Sequence, residues 1–176
     1  PMLPILGPRE MRFITGQTGA KLIIVPSEWR GRPYADEARA IASDIPDLEV
    51  LVVDRELPEA DPADLPPPPA AVTPDDAPVR WIFYTSGTTA DPKGARHTDL
   101  TVKASAIGMI EALEITDRDR AAMVFPFTHI GGIGWLYTML LTGCTCIFVE
   151  AFVPNTTIPV LQREHVTLAG AGTPFH

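Results

Sequence analysis

Tyr84-Thr85-Ser86-Gly87-Thr88-Thr89-Ala90-Asp91-Pro92-Lys93-Gly94 follows an apolar run, 79–84, with the composition of a buried strand. Four hydroxyls (Thr85, Ser86, Thr88, Thr89), two glycines (Gly87, Gly94) and one ammonium (Lys93) put many donors and little bulk in one loop. A polyphosphate needs that combination, because backbone N–H groups must approach it closely. A polar surface turn would explain the Gly and Asp but gives no reason for hydroxyls on both sides of Gly87. The stretch is not a Walker A loop. The pair after the four-residue spacer is Pro92-Lys93 instead of Gly-Lys, and Gly94 stands where a Ser or Thr would hold magnesium.

The pattern YTSGTT-x-x-PKG resembles the signature of the adenylate-forming superfamily, which includes acyl-CoA synthetases, luciferases and the adenylation domains of peptide synthetases. The resemblance implies that Thr85, Ser86, Gly87, Thr88, Thr89, Lys93 and Gly94 bind the phosphates of ATP. Most members have glycine where this chain has Ala90, and a positive φ there would strain an alanine.

Outward from the loop the chain reads as α/β alternation. Residues 1–56 form a first segment. A helix opens at Gly7-Pro8 with Met11, Ile14 and Thr18 on one face, and a short β-branched strand spans 21–25. A second helix covers 34–45 and an apolar strand 48–53. Residues 57–78 shift abruptly to Pro, Ala and Asp around Pro66-Pro67-Pro68-Pro69. Proline removes donors and fixes φ, so this stretch is expected to be an extended, solvated connector. Residues 79–176 form a second α/β segment. Strand 79–84, the phosphate loop, helix 99–113, strand 121–125, helix 132–141, strand 144–149, helix 157–163 and strand 166–169 follow one another. The expected architecture is a mainly parallel sheet with flanking helices, and the resemblance implies that it is part of an acyl-CoA-synthetase-like N-terminal domain. Its strand-to-helix loops should open at one sheet edge, where open α/β sheets bind ligands.

A second group of residues, Phe125-Pro126-Phe127-Thr128-His129-Ile130-Gly131-Gly132, falls at a strand end and helix start. The acyl-CoA synthetase branch has a similar Pro-x-x-His-x-x-Gly element, which matches Pro126, His129 and Gly132. The resemblance implies that His129, Gly131 and Gly132 lie at the acyl end of the active site. Peptide-synthetase adenylation domains tend to carry a Phe-Asp element there, and this chain has no aspartate after Asp119, so an amino acid is a poor substrate. Gly131, Gly132 and Gly134 lack the third glycine of a dinucleotide fingerprint. Trp135, Tyr137 and Met139 read as core rather than as an acyl tunnel, and His97 reads as a solvated residue at a helix start. Cys144 and Cys146, two apart on a strand, share one face and are expected to be buried thiols, neither a disulfide nor a zinc site.

The formal charge of −8 over 176 residues argues against a nucleic-acid surface, so any anionic ligand must be held by local donors. The longest apolar run, 133–141, is too short to span a bilayer, and no signal peptide is evident; the chain reads as cytoplasmic. The resemblance implies an ATP-dependent acyl-CoA synthetase acting on a fatty, alicyclic or aromatic carboxylic acid, with Mg2+ arriving on ATP and coenzyme A as co-substrate. The family's adenine-binding and magnesium-binding motif, ribose-binding aspartate and lid lysine would lie beyond His176. The chain is therefore expected to be an internal piece of the large domain, holding no catalytic residue, inactive by itself and prone to self-association. The alternative is a non-catalytic nucleotide- or polyphosphate-binding module.

Overall fold

The computed structural model describes residues 1–68, 70–85, 91–124 and 126–170. They divide into two compact units: one holds Ile5–Ala71 and Tyr84–Lys93, the other Pro1–Pro4, Val72–Phe83 and the chain from Gly94 onward.

In the unit built on Ile5–Ala71, helix α1 spans Pro8–Thr18. Proline at its first position costs no intrahelical hydrogen bond, and the Glu10 carboxylate accepts the Gly7 N–H at 3.0 Å. The helix stops at Gly19, whose left-handed φ of 60° suits glycine. The Thr15 and Thr18 hydroxyls donate back to the Met11 and Ile14 carbonyls, at 2.8 and 2.7 Å, so neither polar side chain disturbs the turn. Strand β1 (Leu22–Val25) pairs in parallel with β2 (Glu49–Val52), and α2 (Tyr34–Ala42) is the crossover. Along β1, Ile23 and Val25 are buried while Leu22 and Ile24 are exposed, as the pleat dictates. The expected helix–strand–helix–strand order holds. Residues 57–78 are exposed wherever described, apart from half-buried Ala77, and carry a single 3-10 turn, Pro62–Asp64, started by the Asp61 side chain.

In the other unit, strand β5 (Arg120–Met123) lies between β6 (Thr145–Phe148) and β7 (Leu168–Gly170), all parallel. Helices α4 (Ile130–Thr142) and α5 (Pro154–Arg163) make the crossovers. Ile115, Ala121, Met123, Trp135, Met139 and Cys144 pack as one buried cluster. A second cluster joins Phe83, Val102 and Ile133, bringing together β3 (Trp81–Tyr84), α3 (Asp99–Leu113) and α4. Thr98 caps α3 by accepting the Thr101 N–H at 3.2 Å. Trp135 and Met139 are core residues, as their spacing predicts.

One expectation is corrected. The loop expected to hold phosphate does not run from a strand into a helix at a parallel sheet edge. It joins β3 to an extra strand, β4 (Gly94–His97), and the Arg80 N–H donates to the His97 carbonyl at 2.9 Å while Thr85 N–H donates to Lys93 O at 3.0 Å, so the pair is antiparallel. Gly94, Ala95 and Arg96 are exposed and only His97 is half-buried, so β4 lacks the apolar alternation by which a strand is read from sequence. Among the described residues the strands form three separate sheets, and the parallel pairings lie in β1–β2 and β6–β5–β7.

Candidate functional site

The signature loop is closed at its base by the Thr85 N–H to Lys93 carbonyl bond, 3.0 Å. Thr85 and Lys93 are exposed and Pro92 between the stems is buried. Ser86, Gly87, Thr88, Thr89 and Ala90 lie outside the described residues, so the strain expected at Ala90 does too. The Lys93 ammonium pairs with no carboxylate among the described residues. Each stem touches α1: the Tyr84 phenol donates to the Gln17 side-chain oxygen at 2.6 Å, and Arg9 pairs with Asp91 at 3.5 Å. Burial raises the Tyr84 phenol above its ordinary value, so it remains a donor at neutral pH.

His129 lies in the other unit and is the N-cap of α4. Its Nδ1 accepts the Gly131 N–H at 3.1 Å, which puts the proton of a neutral ring on Nε2. The backbone tightens around it: His129 N–H donates to Pro126 O at 3.0 Å, and Gly132 N–H donates to His129 O at 2.9 Å. Gly132 has a packing reason to be glycine, because a Cβ there would sit 2.6 Å from the Phe127 carbonyl oxygen and 2.8 Å from that of Pro126. The Pro-x-x-His-x-x-Gly spacing is thus a turn folded back on the first turn of a helix. Within it the Thr128 hydroxyl oxygen is buried with no hydrogen-bond partner among the described residues. The structure brings Thr85 to Lys93, and His129 to Gly131 and Gly132. Gly94, which opens β4, belongs with the His129 unit.

Asp99, at the first position of α3, gives no signal in the sequence beyond an acid at a helix start, where the helix dipole favours it. Its Oδ1 accepts from Trp81 Nε1 at 2.8 Å and from the Tyr137 hydroxyl at 2.9 Å. His97 is half-buried in β4, edge-on to Phe83 with centroids 5.9 Å apart, and its Nδ1 lies 3.3 Å from the Thr101 hydroxyl. Cys144 is buried and Cys146 half-buried against the same cluster, both as free thiols, and burial raises the Cys146 thiol. Among the described residues no group of three or more His, Cys, Asp or Glu could hold a metal, and no helix is long and apolar enough to cross a membrane.

The hydroxyl-rich loop thus follows β3, and the histidine-capped helix α4 follows β5. Residues 1–175 match the family described as AMP-binding enzyme, and the chain belongs to that adenylate-forming family. It is 32% identical over 174 residues to a feruloyl-CoA synthase of Amycolatopsis sp, covering 90% of this chain and 35% of the relative. The fold is similar to that of the N-terminal domain of FACL13 from Mycobacterium tuberculosis, solved with an inhibitor bound, at 25% identity and TM-score 0.74 over 97% of this chain and 42% of that one. It is also similar to an o-succinylbenzoate coenzyme A synthetase from Bacillus subtilis in complex with AMP, at 24% identity and TM-score 0.74 over 99% of this chain and 42% of that one. The chain spans about a third of the length of the curated relatives it matches.

Proposed function

We propose that the protein bearing this chain is an AMP-forming acid–thiol ligase, an acyl-CoA synthetase acting on a fatty, alicyclic or aromatic carboxylic acid. A carboxylate oxygen attacks the α-phosphorus of ATP and pyrophosphate leaves. The thiol of coenzyme A then attacks the acyl carbon and AMP leaves. The observation that carries this reading is a hydroxyl-rich signature shut at its base by the Thr85–Lys93 bond and bearing an ammonium unpaired among the described residues. The first step drives one anion toward another, so positioned donors and a local cation lower its barrier, the more so in a chain of net charge −8.

Thr85, Ser86, Gly87, Thr88, Thr89, Lys93 and Gly94 are assigned to the triphosphate. His129, Gly131 and Gly132 are assigned to the acyl end. Magnesium is assigned to enter with ATP. Names among the relatives support a CoA ligase and leave the acid open. The cytoplasm, where ATP and coenzyme A are both present, is the assigned compartment. The 176 residues alone are expected to be inactive, and to self-associate through exposed apolar side chains such as Leu22, Ile24 and Phe148.

The test is pyrophosphate exchange into ATP by the full-length protein across fatty, alicyclic and aromatic acids, with mass spectrometry of the CoA product. Acid-dependent exchange and a CoA thioester are expected. No exchange with any acid, or exchange with amino acids alone, would overturn the proposal.

A further inference from the structure

The two stems of the phosphate loop are each tied to the same helix. Tyr84, immediately before Thr85, donates from its phenol to the Gln17 side chain at 2.6 Å, across 67 residues of sequence. Asp91, two residues before Lys93, pairs with Arg9 at 3.5 Å, across 82 residues. Gln17 and Arg9 lie on α1, eight residues or about 12 Å apart along its axis. That helix is a firm support. Met11 and Ile14 are buried, its first turn is closed by Glu10, and its end is stopped at Gly19.

The two ties are unequal. Arg9 and Asp91 are largely exposed and 3.5 Å apart, a geometry that contributes little against solvent. The phenol–carboxamide bond is shorter, and although Gln17 is exposed its donor Tyr84 is half-buried, which makes it the better placed of the two to orient the residue that precedes Thr85. Placement matters here more than stability, because backbone donors on a phosphate act only when aimed correctly.

Resting on the reading of this loop as the ATP-phosphate site, we propose that Gln17 is a positioning residue for it. Gln17 acts through the Tyr84 hydroxyl and touches neither substrate. Gln17→Leu and Tyr84→Phe each cut the same bond, whereas Gln17→Glu keeps an acceptor for the phenol.

The experiment uses the full-length protein, with MgATP binding followed by calorimetry and steady-state kinetics varied in ATP and in acid, and with thermal melts as a check on folding. Gln17→Leu and Tyr84→Phe are each expected to weaken MgATP binding and raise the KM for ATP about three- to tenfold, the usual range for one hydrogen bond. The KM for the acid should stay put, the double variant should be no worse than either single one, and Gln17→Glu should stay near wild type. Tyr84→Phe, the milder change, keeps the test open should Gln17→Leu not fold. Unchanged ATP affinity in both single variants, additive losses in the double one, or equal shifts for ATP and acid would overturn the proposal while leaving the loop assignment intact. Wild-type protein that binds no MgATP would overturn both.

Discussion

The Tyr137 hydroxyl, on α4, donates to the Asp99 carboxylate, on α3, at 2.9 Å, and the same oxygen accepts the Trp81 indole N–H at 2.8 Å from β3. One carboxylate therefore joins three elements above the Phe83–Val102–Ile133 cluster, with Arg80 at 3.9 Å. Burial and the Asp99 bond raise the Tyr137 phenol, which stays a donor well past neutral pH. Asp99→Ala should cost about 1 kcal/mol, since its two half-buried donors can turn to water, and Tyr137→Phe about 0.5–1 kcal/mol. The two losses should not add. Urea unfolding of both single variants and the double one measures the coupling, and full additivity would show that the bond contributes nothing.

The glycines of α4 divide by what surrounds them. A Cβ at Gly132 would meet backbone atoms at 2.6–2.8 Å, and backbone cannot swing aside as a side chain can. Gly134 has nothing within 4 Å of the same position. Gly132→Ala should therefore destabilise by about 1–3 kcal/mol, the usual cost of overpacking, whereas Gly134→Ala should be neutral or stabilising by up to about 1 kcal/mol through helix propensity. Equal melting temperatures for the two variants would refute this.

How much of this was legible in the sequence depended on periodicity. The helix at 8–18 is announced by Gly7-Pro8, whereas the Thr98–Thr101 cap of the helix at 99–113 emerges only from the structure. Strand β4 was illegible because Gly94, Ala95 and Arg96 point to solvent, and its pairing comes from backbone hydrogen bonds that no side-chain pattern records. The signature loop was legible because its chemistry is local, a run of donors around glycine. Gln17 and Asp99 were not, because each acts on a residue far along the chain and carries no motif. Gly132 was noticed for its place in the Pro-x-x-His-x-x-Gly pattern, but its close approach to the Phe127 carbonyl could be read only from the backbone.

The observed role of His129 can be separated from the proposed one. Its Nδ1 caps α4 by accepting the Gly131 N–H, and its ring is assigned to the acyl end. His129→Ala should lose the cap, about 1 kcal/mol, whereas His129→Asn keeps a capping oxygen and loses only the imidazole. Both variants should alter the ranking of acids in pyrophosphate exchange and leave the KM for ATP near wild type. A changed ATP affinity with an unchanged acid ranking would move His129 out of the acyl end.

Lys93 is exposed, at the end of the loop, and its charge meets no carboxylate among the described residues. Lys93→Ala should lower kcat/KM for adenylation on the order of a hundredfold, the scale for removing one oxyanion donor, with little change in the affinity for acid. Lys93→Arg keeps the charge but changes its geometry, and should fall between. Single-turnover measurement of acyl-AMP formation gives the rates directly, and an unaltered rate in Lys93→Ala would remove this residue from the chemistry.

The acid limb of stability has a definable source. The Asp119 carboxylate accepts the Thr116 N–H at 2.8 Å and the Thr167 hydroxyl at 2.8 Å, and these bonds hold it below the ordinary carboxylate range. Asp54, in the other unit, is lowered likewise by the Ser27 N–H at 2.8 Å and hydroxyl at 2.7 Å. A depressed folded pKa means that the unfolded chain binds the proton first. The stabilisation is therefore complete above the unfolded value of about 3.9 and drains away as pH falls through the folded one. Asp119→Asn and Asp54→Asn should each lower stability at neutral pH and flatten its fall between about pH 5 and about pH 2. The two share no partner, so their effects should add. Denaturant midpoints taken across that range test it: a double variant whose stability falls as steeply as that of wild type would place the acid sensitivity on other carboxylates.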